Sequence, residues 1–235
     1  MNQKQLVIFD LNKTLIKETS WYEFNLAMGV TETEDETLYR LGPEKEGVLN
    51  YHEWIDLLKK IIVKRGKASR PNVEKVLLNY TFSDGAREVV DTLKQQGHPV
   101  AIVSGSFNIV VDDVARKLGI EHSYNNVYLA FGQDDMLEDI LMTWDDIRFK
   151  PLLVQSVCRR FGVHPKDVYY VGDGDNDGDI FDETIGVAIQ IPHEQHEPWK
   201  AAALANGETF HTTTSHSKAT HTISNLRDLL DIVKD

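Results

Sequence analysis

Short apolar runs punctuate the chain at Gln5–Phe9, Pro99–Val103, Asp167–Val171 and Gly186–Ile191. Runs this brief and continuous predict buried strands. Between them, apolar positions recur at helical spacing: Ala86, Val89, Val90 and Leu93; then Ile109, Val110, Val114 and Leu118; then Leu153, Val154, Val157 and Phe161. Asp84 is placed to cap the first of these helices, and Gly97, Gly119 and Gly162 to close them. Pro151 suits the first position of the third. Strands alternating with helices of this length predict a doubly wound α/β core, a parallel sheet covered on both faces.

The alternation breaks between Glu18 and Tyr80, where helical patterns occur without a convincing strand. Tyr51–Ile62 is the clearest amphipathic helix, and Val73, Val76 and Leu77 suggest another. The expected organisation is a core of residues 1–17 and 81–235 with a small helical cap, residues 18–80, inserted after the first strand. Asn126–Trp144 alternates irregularly and predicts strands or a hairpin. The Thr- and His-rich stretch Gly207–Ser224, with His211, His216 and His221, reads as a polar surface loop, because its spacing fits neither one helix face nor one strand face.

Composition narrows the function. The 235 residues carry 25 Lys and Arg against 37 Asp and Glu, a formal charge of −12. That balance argues against a nucleic-acid partner. It also repels anionic substrates at long range, so a phosphate-handling site would need a metal or local cations. No window approaches the length of a membrane span, and the polar start Met1–Gln5 is unlike a signal peptide. A lone cysteine, Cys158, can form no internal disulfide. These features predict a cytoplasmic, reducing environment.

Candidate chemistry gathers at the carboxyl ends of predicted strands, where parallel sheets bind ligands. Asp10 follows the first strand, placed to act as nucleophile, metal ligand or both. Ser104 and Gly105 follow the second and read as the opening of a helix, where main-chain N–H groups and a small residue favour anions. Lys150 stands before Pro151 at an expected helix start, where a cation is unfavourable unless an anion sits nearby. Gly172-Asp173-Gly174-Asp175-Asn176-Asp177-Gly178-Asp179 packs four carboxylates behind a strand. Such crowding raises carboxylate pKa values, and a divalent cation such as Mg²⁺ relieves it. The same segment opens like an EF-hand calcium loop from Asp173, but its twelfth position is Thr184 and it follows a strand instead of a helix.

In this order and spacing, the segments resemble the haloacid dehalogenase-like (HAD) phosphohydrolases, and especially their phosphoserine phosphatase-like branch. The family's Asp-x-Asp-x-Thr motif is matched by Asp10-Leu11-Asn12-Lys13-Thr14, its Ser or Thr by Ser104, its lysine by Lys150, and its acidic motif by Gly172–Asp177. The resemblance implies a HAD-like Rossmannoid core and Mg²⁺-dependent hydrolysis of a small phosphorylated metabolite. By that resemblance Asp10 attacks phosphorus and becomes an aspartyl-phosphate. Mg²⁺ is held by Asp10, Asp173 and the Asn12 carbonyl, with Asp177 orienting the water around it. Ser104, the Gly105 N–H and Lys150 hold the phosphate.

One position departs from the pattern. Two residues after the nucleophile, where the family keeps an acid/base Asp, this chain has Asn12. An amide neither donates a titratable proton nor takes one, so catalysis is expected to be weakened. A phosphate-binding protein without catalysis is one alternative reading. A metal-independent dehalogenase-type hydrolase is another, disfavoured by the acidic motif. Glu18, Trp21, Tyr22 and Arg40 are the candidate substrate contacts near the mouth. No arginine pattern in the cap matches a phosphoserine carboxylate, so the expectation stops at a phosphomonoester.

Overall fold

The structure is a computed structural model. It describes residues 5–42, 48–143, 146–174, 177, 180, 185–191, 197–208 and 219–233, with the main chain alone at 146–149. The first strand, β1 (Leu6–Phe9), is apolar at every position because both of its faces are covered. Leu6 and Ile8 point into one hydrophobic cluster, Val7 and Phe9 into the other. That division is the period-two geometry of a strand inside a doubly covered sheet.

Helices α1 (Ser20–Ala27), α2 (Glu32–Leu41), α3 (Tyr51–Arg65), α4 (Arg70–Leu77) and α5 (Ala86–Gln95) come next. β2 (Val100–Phe107), α6 (Asn108–Leu118), β3 (His122–Phe131) and β4 (Leu137–Met142) follow, then α7 (Asp146–Phe161), β5 (Val168–Gly172), β6 (Val187–Gln190), α8 (Pro198–Ala205), β7 (His221–Thr222) and α9 (Leu229–Ile232). The seven strands lie in the order β4-β3-β2-β1-β5-β6-β7. All pairs are parallel except β3 with β4, which form the antiparallel hairpin at one edge. β1 lies between β2 and β5, so the chain leaves it toward opposite sides. That reversal opens a crevice at the strands' carboxyl ends. Among the described residues, no helix is long and apolar enough to cross a membrane.

Three local expectations need correction. Ser104, Gly105 and Ser106 do not open a helix; they continue β2, fully buried, and α6 starts at Asn108. Their polarity reads as a loop, but a register shift against β3 between Ser104 and Phe107 keeps the strand going. Pro151 is inside α7, which begins at Asp146, so Lys150 is no helix-start residue. The missing Pro151 N–H would have met the carbonyl of residue 147, still in the first turn, so the helix loses one bond and runs on. Asp84 does not cap α5 either: Gly85 holds the cap position at φ 83°, and Asp84 pairs with Lys17 at 2.8 Å. Gly97, Gly119 and Gly162 do take positive φ after their helices. The stretch 207–224 lies mostly outside the described residues; of its histidines only His221, in β7, is described.

Candidate active site

Asp10 is the residue after β1, and its N–H donates to the Val171 carbonyl of β5 at 2.9 Å. The chain then turns tightly. Thr14, Leu15 and Ile16 all direct their N–H groups to the Leu11 carbonyl, and Lys13 takes a left-handed φ of 56° to allow it. Buried Leu11 and Leu15 seat this turn in the core. The carboxylate of Asp10 is thereby held at the crevice with 4% of the residue exposed.

Lys150 reaches the same point from α7 and is 1% exposed. Its ammonium stands 3.2 Å from Asp10 Oδ1 and 2.9 Å from Asp177 Oδ1. Asp177 is fixed in turn by the Tyr170 hydroxyl, which donates to its Oδ1 at 2.7 Å. Burial pushes that hydroxyl well above the ordinary tyrosine range, so it stays a donor. Gly172 makes room for Asp177: a Cβ there would stand 2.0 Å from Asp177 Oδ2. The Asp173 carbonyl accepts from Gln190 Nε2 at 3.1 Å, which ties the acidic turn to β6.

The electrostatics are unbalanced as they stand. Oxygens of Asp10, Asp173 and Asp177, all buried, lie within 4.8 Å of one another. Burial, reinforced by the neighbouring Asp177 charge, pushes the Asp10 carboxyl up to about 6 against the pull of Lys150. Buried carboxylates this close are costly unless a cation joins them. A donor set made only of carboxylate oxygens fits a hard divalent ion such as Mg²⁺. In the same cleft, Ser104 Oγ is buried with no hydrogen-bond partner among the described residues. Buried hydroxyls are normally satisfied, so this one marks a place where a polar ligand fits.

The residues singled out from the sequence divide clearly. Asp10, Asn12, Ser104, Gly105, Lys150 and Asp173 all line one open cleft of about 180 Å³, joined by Trp21 and Tyr22. Asp177 sits behind them, beyond solvent. Glu18 and Arg40 are not among the lining residues. The Glu18 carboxylate instead accepts the Thr81 N–H, at 2.9 and 2.8 Å to its two oxygens. Arg40 pairs with Glu36 and Glu208. Asp175, Asn176 and Asp179 lie outside the described residues.

Other lining residues carried no sequence motif. Trp54 of α3 packs edge-on against Trp21 at 5.2 Å, and Tyr39 of α2 meets Trp199 of α8 at 5.2 Å. Asn25 Nδ2 and Trp199 Nε1 donate to Asp35 at 2.8 and 3.0 Å, and burial raises the Asp35 carboxyl. Lys13 Nζ lies 3.7 Å from Glu197. The only sequence signal for this wall was the density of aromatic residues in α1 and α3, a pattern shared with any buried helix face.

The chain is similar to known proteins over most of its length. The sequence profile of the haloacid dehalogenase-like hydrolase family matches residues 4–180. A phosphoserine phosphatase of Methanocaldococcus jannaschii is 28% identical over 186 residues, which is 76% of this chain and 82% of that protein. Another, of Archaeoglobus fulgidus, is 27% identical over 191 residues, 80% of this chain but 52% of the relative, so the chain spans about half of its length. Among solved structures, a substrate-bound phosphoserine phosphatase has the same fold at a TM-score of 0.76 and 24% identity, over 100% of both chains. By fold and by family match together, the chain belongs to the haloacid dehalogenase-like hydrolases, as a phosphatase of their phosphoserine phosphatase-like branch.

Proposed function

We propose that the chain is a Mg²⁺-dependent phosphomonoester hydrolase that works through an aspartyl-phosphate on Asp10. The observation that carries the reading is the meeting of Asp10, Ser104, Lys150 and Asp173 in one cleft. Asp10, Asp173 and the Asn12 main-chain carbonyl would hold the ion, which when bound offsets charge on the transferring phosphoryl group.

The protein's own groups do the rest. Lys150, held between Asp10 and Asp177, aims the Asp10 carboxylate and places a positive charge beside the incoming phosphate. Ser104 Oγ and the Gly105 N–H supply two further donors on the β2 side. Asp10 attacks phosphorus in line, the leaving oxygen departs with its electron pair, and water later cleaves the Asp10–phosphorus link. Helices α1–α4 act as the cap, with Trp21 tied to the phosphate strand through a 3.1 Å bond from its Nε1 to the Gly105 carbonyl. The substrate is a small phosphorylated metabolite. Asn12 supports a slow enzyme, because general acid–base help is worth about 10²–10⁴ in rate.

The test is direct. Incubated with an aryl phosphate and Mg²⁺, the protein is expected to gain one phosphoryl mass on Asp10, and to lose that gain in Asp10→Asn or in excess chelator. Asn12→Asp should raise steady-state turnover roughly tenfold or more, by activating the second step. A protein that binds phosphate yet never becomes phosphorylated would be a non-catalytic relative. Activity that survives chelation would point to metal-independent chemistry.

A further inference from the structure

The side chain of Asn12 does not lie idle where the family keeps an acid. The Ser20 main-chain N–H and hydroxyl both donate to Asn12 Oδ1, at 3.1 and 2.6 Å. A main-chain N–H can only donate, so the amide oxygen must face Ser20, and the nitrogen is the other end of a residue that lines the cleft. An amide nitrogen offers hydrogen bonds but gives up no proton at physiological pH. Nothing at this position can therefore protonate a departing alkoxide. An aliphatic alcohol, with a pKa roughly that of water, about 16, leaves badly as an anion. A phenol, with a pKa of about 10 like the tyrosine side chain, leaves well without help.

The aromatic lining of the cleft points the same way. Trp21, Tyr22, Tyr39, Trp54 and Trp199 line it, and the charged lining residues other than Asp10, Lys150 and Asp173, namely Lys13, Asp35, Glu197 and Lys200, match in sign two against two. Among the described lining residues there is no guanidinium to receive a substrate carboxylate. The whole cleft, phosphate end included, measures about 180 Å³ and is open to solvent, so a ring would rest on its aromatic lining without being enclosed. Aromatic walls favour stacked or edge-on rings.

Resting on the hydrolase reading above, we propose that the substrate class is aryl phosphate monoesters: a phosphate carried on a phenolic oxygen, its ring held against the aromatic wall that includes Trp21 and Trp54. In the first step an Asp10 oxygen bonds to phosphorus and the phosphorus–phenol oxygen bond breaks. The phenoxide keeps the electron pair and takes its proton from solvent water. In the second step a water oxygen bonds to phosphorus and the Asp10–phosphorus bond breaks. The carboxylate is restored and the water's proton leaves with inorganic phosphate. Because Asn12 cannot deprotonate that water, the phosphorylated enzyme accumulates.

The experiment is a rapid-quench measurement of the first turnover with the full-length protein and Mg²⁺, using phenyl, benzyl and acetyl phosphate. Phenyl and benzyl phosphate both carry a ring but differ in leaving-group acidity. Phenyl and acetyl phosphate both have good leaving groups but only one has the ring. Phenyl phosphate is expected to phosphorylate Asp10 at least about a hundredfold faster than benzyl phosphate, the low end of what a general acid supplies. It should half-saturate at least tenfold lower than acetyl phosphate. Asn12→Asp should close most of the phenyl–benzyl gap by speeding benzyl phosphate. Should that variant not fold, a series of ring-substituted phenyl phosphates on the unaltered protein gives the same information, its rates rising steeply with leaving-group acidity. Equal phenyl and benzyl rates, or a flat series, overturn the leaving-group claim. Equal half-saturation by acetyl phosphate overturns the ring claim. Failure to phosphorylate Asp10 with any of the three overturns the hydrolase reading itself.

Discussion

Lys150 and Asp177 act as a pair before any substrate arrives. The lysine is buried at 1% exposure between two carboxylates, and its position depends on Asp177 being where it is. Asp177 in turn depends on a residue with no side chain. At Gly172 an added methyl would stand 2.0 Å from Asp177 Oδ2 and 3.1 Å from the Tyr170 ring. Neither neighbour is free to give way: Tyr170 is wholly buried, and Asp177 is bonded to both Tyr170 and Lys150. Gly172→Ala is therefore expected to push Asp177 aside and release Lys150. Overpacking of this kind costs typically about 1–3 kcal/mol. The larger effect should be on chemistry, with Asp10 phosphorylation slowed more than tenfold while the protein still melts cooperatively. Quench-flow and thermal melting on the same sample check it; a variant that phosphorylates at the native rate would show that Gly172 is not what positions the pair.

At the scale of elements, α1 is capped from outside its own sequence. Thr19 holds its N-cap position but makes no side-chain cap, and the first main-chain N–H of the helix goes to Asn12 Oδ1. Asn12→Ala removes that acceptor, and losing a helix cap costs about 0.5–2 kcal/mol. A loss of 1 kcal/mol lowers the melting temperature of a chain this long by about 2–4 °C. Asn12→Asp keeps an acceptor and should show the smaller drop with Mg²⁺ present; identical melting of Asn12→Ala and the unaltered protein would remove this role. The link was invisible in the sequence, because a contact across eight residues between a motif position and a helix start has no periodicity. What could be read was what burial writes into composition. β1, β5 and β6 sit inside the sheet, so apart from Gln190 at the end of β6 their residues are largely apolar on both faces and stand out as runs. The hairpin β3–β4 is half covered and its pattern was irregular, which still sufficed to expect strands. β2 could be read only as far as Val103, since Ser104 and Ser106 are polar yet buried, and β7 is two exposed residues with no pattern to carry. The motif residues stood out by their types and their places at strand ends; of the aromatic wall only Trp21 and Tyr22 were singled out, because Trp and Tyr are used equally well for packing.

For the molecule as a whole, the acidic cluster links stability to pH. The Asp10 carboxyl is raised from an ordinary 3.8 to about 6 by burial and by Asp177. A raised carboxyl means that the folded state binds its proton more tightly than the unfolded chain does. Its contribution to stability is complete below pH 4 and is lost as the pH rises through about 6. At 1.36 kcal/mol per pKa unit the loss is about 3 kcal/mol. Surface carboxylates such as Glu34, Asp84 and Asp139 are lowered instead and act at the opposite end, losing stability only as the pH falls toward 4. Between pH 5 and 7.5 the Asp10 effect can therefore be isolated by subtracting the Asp10→Asn variant, which lacks the titrating group. Metal-free protein is expected to lose melting temperature across that window more steeply than Asp10→Asn. A divalent ion held by the ionised cluster, as proposed, would compete with the proton for it and so stabilise the folded state by mass action chiefly where Asp10 is already deprotonated. Added Mg²⁺ should therefore raise the melting temperature substantially at pH 7.5 and little at pH 5, and should do neither in Asp10→Asn. An equal shift at both pH values, or an undiminished shift in the variant, would place any bound Mg²⁺ somewhere other than this cluster.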